Sequence, residues 1–118
     1  MNLSVRQENE ASVIAIQGDI DLKHSPDVRR AILESIGQAP GANVILDLRA
    51  VRYIDSSGVA TLVEGYRKTR ELNGRFILVG VSKAARELLE LTKLVTLFEI
   101  YQDAERALAA VRGIHSRT

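Results

Sequence analysis

The chain of 118 residues has the size of one compact domain, and 46% hydrophobic with 26% charged residues is the composition of a globular protein that folds in water. Its 16 Lys and Arg against 15 Asp and Glu leave a formal charge of +1, and it has no Trp, three Tyr and two Phe. That balance lacks the cationic face and aromatic platforms on which nucleic-acid binding depends, and the absence of cysteine excludes a disulfide framework, a thiolate metal site and a cysteine nucleophile.

The amino terminus, MNLSVRQENE, lacks the apolar region of a signal peptide, and no apolar run approaches the roughly eighteen residues of a membrane span. A cytoplasmic single domain is expected, without membrane insertion. Residues 3–6 and 11–17 read as strands on either side of the polar Gln7-Glu8-Asn9-Glu10, which predicts a β-hairpin. Gly18 closes the second strand, and Asp19-Ile20-Asp21-Leu22 leads to Ser25-Pro26-Asp27. A serine N-cap, a proline at the first helical position and an acidic first turn there predict a helix over 26–36. Its apolar face is Val28, Ala31, Ile32 and Ile36, and Gly37 with Pro40-Gly41 ends it.

The run Val44-Ile45-Leu46-Asp47-Leu48 is short, β-branched and nearly continuous, which predicts a strand covered on both faces. After a loop with Arg49, Arg52 and Tyr53, residues 55–73 place Val59, Leu62, Val63 and Tyr66 on one face of a second helix that stops at Asn73-Gly74. Phe76-Ile77-Leu78-Val79 repeats the buried-strand pattern, and Ser82 caps a third helix carrying Ala85, Leu88 and Leu89. Phe98-Glu99-Ile100 is a short last strand, and a fourth helix spans 103–112 with Ala104, Ala107, Leu108 and Val111 inward. The order ββαβαβαβα predicts an α/β domain over residues 1–112, followed by a short tail at 113–118. Its sheet is expected to be mixed and four- or five-stranded, with an antiparallel hairpin at one edge, right-handed crossovers and helices packed against it.

In open α/β sheets, sites form beyond the carboxyl ends of the strands, so chemistry is expected in loops 18–24 and 49–58. The second contains Asp55-Ser56-Ser57-Gly58 at the entrance of the second helix. Asp and Ser are preferred caps for first-turn amides, and that alone accounts for one of these residues. Two hydroxyls leave one spare. A phosphate on it would lie at the positive end of the helix dipole and add about −1.5 to −2 charges beside Asp55 and Asp21.

Gly18-Asp19-Ile20-Asp21, Val44-Ile45-Leu46-Asp47-Leu48 and Tyr53-Ile54-Asp55-Ser56-Ser57-Gly58-Val59 together resemble the STAS-domain family of bacterial anti-sigma factor antagonists. The resemblance continues through Asn73-Gly74 and Val79-Gly80-Val81-Ser82. It implies a switch protein and not an enzyme, without a cofactor. The unphosphorylated form would bind an anti-sigma factor that is an ATP-binding serine kinase, freeing the sigma factor. Phosphorylation would end that contact, and a metal-dependent phosphatase of the PP2C type would restore it. The family's pattern implies Ser56 as phosphoacceptor, Ser57 as the unmodified neighbour and cap, and Asp21 and Asp55 as residues flanking the kinase contact, beside Gly58. A monomer or weak dimer is expected. STAS domains also serve as subunits of lipid-trafficking ABC transporters and as scaffolds in stress-signalling complexes, an alternative role for this chain.

Arg67, Lys68 and Arg70 share the helix of Ser56 and read either as a solvated face or, Arg67 first, as the border of the partner surface. A hydrolase elbow fails, because Ile54 stands where that motif needs glycine. Asp21, His24 and Ser56 as a triad, and Asp19, Asp21 and His24 as a metal site, compete with plain surface or capping roles. His115 falls in the tail, and no Walker-type glycine loop is present.

Overall fold

Residues 1–113 are described by the computed structural model of the chain. Strands β1 (Asn2–Gln7), β2 (Ser12–Gln17), β3 (Val44–Ala50), β4 (Phe76–Val79) and β5 (Glu99–Tyr101) form one sheet in the order β1-β2-β3-β4-β5. β1 pairs antiparallel with β2, Asn2 facing Gln17 and Gln7 facing Ser12, and all other neighbours are parallel. Helices α1 (Ser25–Ile36), α2 (Ser56–Glu71) and α3 (Lys83–Leu91) connect the parallel strands, and α4 (Ala104–Arg112) follows β5. Among the described residues, no helix is long and apolar enough to cross a membrane.

The pleat sorts the apolar residues of the central strands to two sides. Ile14, Ile16, Val44, Leu46, Leu48 and Leu78 meet Val28 and Ile32 of α1, Leu62 of α2 and Leu89 of α3 in the larger core. Val13, Ile45, Ile77 and Val79 meet Ala107 of α4 on the opposite face. Coverage on both faces is why β3 reads as an unbroken apolar run. Leu46 is wholly buried there, and its truncation to alanine would cost about 2–5 kcal/mol. The placement of α1, α2 and α3 on one face follows from right-handed crossovers taken in one direction along the sheet.

Several predicted boundaries shift. α1 begins at Ser25, and its N-cap is His24, whose side chain makes no capping hydrogen bond. The expected serine cap is therefore wrong: the turn before the helix already uses the Asp21 carbonyl to accept from His24 N and Ser25 N at 3.1 and 2.7 Å. Ser25 continues that turn and is buried. α2 stops at Glu71, Asn73 takes up a left-handed conformation (φ 61°), and Gly74 N donates to Thr69 O at 2.7 Å. β5 covers 99–101 in place of 98–100, while Phe98 turns into the core against Phe76 and Tyr66. A short 3-10 turn at Pro40–Ala42, absent from the sequence reading, leads into β3. Beyond Gly113, the C-cap of α4, the predicted tail and its His115 lie outside the described residues.

Candidate functional site

Past the ends of β2 and β3, the two loops keep pairing as if the sheet continued. Ile20 and Ile54 form a parallel bridge, in which Ile20 N donates to Tyr53 O and Asp55 N donates to Ile20 O, both at 3.1 Å. Both isoleucines are buried, so apolar burial holds the loops down while their polar neighbours face outward. Side chains add two stitches: Asp19 Oδ1 accepts from Tyr53 N at 3.3 Å, and Asp55 Oδ2 accepts from Leu22 N at 3.1 Å. α2 rises directly beside this bridge. A Cβ on Gly58 would stand 2.7 Å from Ile20 O, so only glycine fits where the Asp-Ser-Ser-Gly segment meets the neighbouring loop.

Asp55 is the N-cap of α2 in extended conformation, and its Oδ1 accepts from Gly58 N at 3.0 Å and from Ser57 Oγ at 2.6 Å. The cap is thus the aspartate and not Ser57, which instead donates to it. A carboxylate has lone pairs for both the amide and the hydroxyl, so it takes the role that a serine would otherwise fill. The Ser57 hydroxyl foremost, then the Gly58 amide, holds the Asp55 carboxyl below the ordinary aspartate range. Asp21 is also held low, mainly by the His24 amide that donates to its Oδ1 at 3.0 Å. Two carboxylates therefore stay ionised at neutral pH in the joined loops. Ser56 is the first residue of α2 and exposed, and its hydroxyl makes no hydrogen bond among the described residues.

Ser56 also stands at one end of a groove of about 680 Å³ along α2, with Val59, Val63 and Leu94 in its lining and Arg67 and Lys68 farther along. Eleven residues of helix put Arg67 roughly 16 Å from Ser56 along the axis. Arg70 leaves this grouping: its guanidinium lies 5.6 Å from the centre of the Tyr66 ring and donates to the Tyr66 hydroxyl. Two residues that sequence reasoning passed over stand exposed on the joined loops. Leu22 is 76% exposed and Tyr53 53% exposed, both on loops whose backbones are pinned by the stitches above. Their signal was a large apolar side chain inside an otherwise polar loop.

The other combinations weighed in the sequence come together only in part. His24 Nδ1 lies 2.8 Å from Asp21 Oδ1, but no hydrogen bond joins His24 to Ser56. Asp19 turns toward the Tyr53 amide, and among the described residues no three His, Cys, Asp or Glu side chains are grouped to hold a metal.

The chain matches the STAS domain family over residues 2–107. It is 30% identical to the anti-sigma-B factor antagonist of Listeria monocytogenes across 103 residues, 85% of this chain and 90% of that one. Of the solved structures, an anti-sigma factor antagonist from Mycobacterium paratuberculosis is 31% identical, with a TM-score of 0.83 over 94% of this chain and 93% of the other. SpoIIAA, an anti-sigma factor antagonist, is 25% identical and in its unphosphorylated form has a TM-score of 0.82 over 98% of this chain and 100% of its own. The phosphorylated form of the Bacillus protein has a TM-score of 0.72 over 94% and 100%. By its sheet order, its Asp-Ser-Ser-Gly helix entrance and a match that spans nearly its whole length, the chain belongs to the STAS domain family, alongside anti-sigma factor antagonists.

Proposed function

We propose that this chain is an anti-sigma factor antagonist whose partner binding is switched off by phosphorylation of Ser56. The observation that carries the reading is the division of labour at the α2 entrance. Asp55 caps the helix and holds Ser57, which leaves the neighbouring Ser56 hydroxyl exposed and unengaged. The relatives named anti-sigma factor antagonists, and a 25%-identical one solved in phosphorylated and unphosphorylated forms, support it.

The partner is an anti-sigma factor that carries bound ATP and acts as a serine kinase. Ser56 Oγ attacks the γ-phosphorus in line, the bond to the β,γ-bridging oxygen breaks, and ADP leaves. The hydroxyl proton passes to a base of the kinase. A phosphatase reverses the mark with water, releasing inorganic phosphate. In these steps the chain is ligand and substrate, and the catalytic groups belong to its partners.

The phosphate is tolerated within the chain because the first turn of α2 presents the positive end of its dipole. It is refused by the partner because about −1.5 to −2 charges then join the ionised Asp55 and Asp21 on the contact surface. Transfer requires the kinase to touch Ser56, so one surface serves for binding and for modification. Leu22 and Tyr53 supply apolar area to that contact, and Arg67 supplies charge farther along the groove.

The test is capture of the anti-sigma factor from the native cell. Ser56→Ala is expected to hold it as the unmodified chain does while accepting no phosphate, and Ser56→Asp to bind at least several-fold more weakly. Equal binding by the aspartate variant would contradict the switch.

A further inference from the structure

We propose that Ser82 is a positioning residue for the loop that presents Ser56, an inference that rests on the phosphoacceptor role given to Ser56 above. Ser82 stands at the turn between β4 and α3, on a different crossover from the one that carries Ser56. Its hydroxyl works in two directions at once. Oγ accepts from Ala85 N at 3.1 Å, which caps α3, and donates its proton to Arg52 O at 2.8 Å. The second bond crosses to the 50–55 loop, three residues before the α2 cap.

The same turn also packs on the strand that leads into that loop. A Cβ on Gly80 would stand 2.1 Å from Arg49 Cγ and 3.2 Å from Arg49 Cα, so the turn lies directly against the end of β3. Val81 between them packs against the larger core. The loop is therefore held from two sides. Loop 18–24 grips it through Ile20, Asp19 and Leu22, and the β4–α3 turn, seated against the end of β3 at Gly80, grips it through Ser82. Without the Ser82 bond, only the first grip fixes the Arg52 peptide, and Ser56 loses part of the rigidity that in-line transfer needs.

The two bonds can be separated chemically. Aspartate at this position still accepts from Ala85 N, as it does at a helix N-cap, but it has no proton to give and sets a carboxylate against the Arg52 carbonyl. Alanine removes both bonds, and threonine keeps both.

The experiment is amide hydrogen exchange on the full chain, read at Ile20, Tyr53 and Asp55 for the loop and at Ala85 for the cap. In Ser82→Asp, exchange of the three loop amides is expected to speed up roughly fivefold to tenfold, the worth of one net hydrogen bond, while Ala85 stays protected. Ser82→Ala should release both groups, and Ser82→Thr neither. With the captured anti-sigma kinase and ATP, Ser82→Asp should lower kcat for phosphorylation several-fold and leave KM unchanged. Loop amides that exchange as in the parent chain in both Ser82→Asp and Ser82→Ala overturn the proposal, as does a threonine variant that fails to restore them. Should the aspartate variant not fold, the alanine and threonine variants settle the matter by the same amides. A parent chain that the kinase does not phosphorylate would overturn the phosphoacceptor reading instead, and the exchange data would still decide whether Ser82 holds the loop.

Discussion

Helices α2 and α3 begin alike, each with an extended residue whose side chain accepts from the amide three residues on: Asp55 from Gly58 N at 3.0 Å, Ser82 from Ala85 N at 3.1 Å. They differ in which group does the capping. At α3 the serine caps with its own hydroxyl and gives its proton to Arg52, so that hydroxyl is committed twice. At α2 a carboxylate caps, and the serines behind it are released from that role, Ser57 to donate back to the cap and Ser56 to face solvent. At these two entrances, the serine that is itself the cap is committed, and Ser56 is free where an aspartate takes the cap position. The same hydroxyl chemistry therefore leaves Ser56 open to solvent at one entrance and ties Ser82 to the neighbouring loop at the other.

Around the two helix entrances, the largest expected break is at Gly58. Gly58→Val puts side-chain atoms against Ile20 O, which a Cβ alone already approaches to 2.7 Å. The stitched loops must part, at about 1–3 kcal/mol of stability by the usual scale of overpacking. A urea midpoint equal to that of the parent chain would show that the close approach is not a constraint.

Removing the α2 cap is smaller. Asp55→Ala is expected to cost about 1 kcal/mol and to speed exchange at the Leu22 amide, whose acceptor it deletes. The pH dependence separates charge from shape. A carboxyl held below its ordinary 3.8 binds fewer protons in the folded chain than in the unfolded one. Its stabilisation is present above that value and is lost as pH falls toward the lowered one. The parent chain should lose stability as pH drops below about 4, and Asp55→Ala should lose less over the same range, as urea midpoints at several pH values would report. Parallel curves for the two chains would deny Asp55 its charged role.

The smallest effect on the fold is expected at Arg67, which is exposed on α2. Arg67→Glu should change stability by no more than about 0.5 kcal/mol. Association with the anti-sigma factor should slow at low salt and recover toward the parent rate at high salt. Unchanged rates would return Arg67 to an ordinary solvated helical face.

The sheet and its helices were legible in the sequence because burial repeats locally. Val44, Leu46 and Leu48 alternate with Ile45, and Val28, Ile32 and Ile36 return at helical spacing, so periodicity alone locates the layers. The Asp-Ser-Ser-Gly segment was legible as a helix entrance for the same reason. What periodicity does not carry is partnership across the chain. Ser25 has the right chemistry for a cap, yet the Asp21 turn runs straight into the helix and makes it the first helical residue. Ser57 looked like the cap of α2, but the carboxylate beside it is the better acceptor. The bridge from Ile20 to Ile54, the need for glycine at Gly58 and the Ser82 tether all join residues 30 or more positions apart, and no local pattern announces them.

The most direct measurement maps the phosphate. After incubation of the chain with the anti-sigma kinase and ATP, mass spectrometry of its peptides is predicted to place one phosphate on Ser56, with Ser57 and Ser82 unmodified. Phosphate on Ser57, or on any residue with Ser56 bare, would contradict the assignment of the free hydroxyl behind the Asp55 cap.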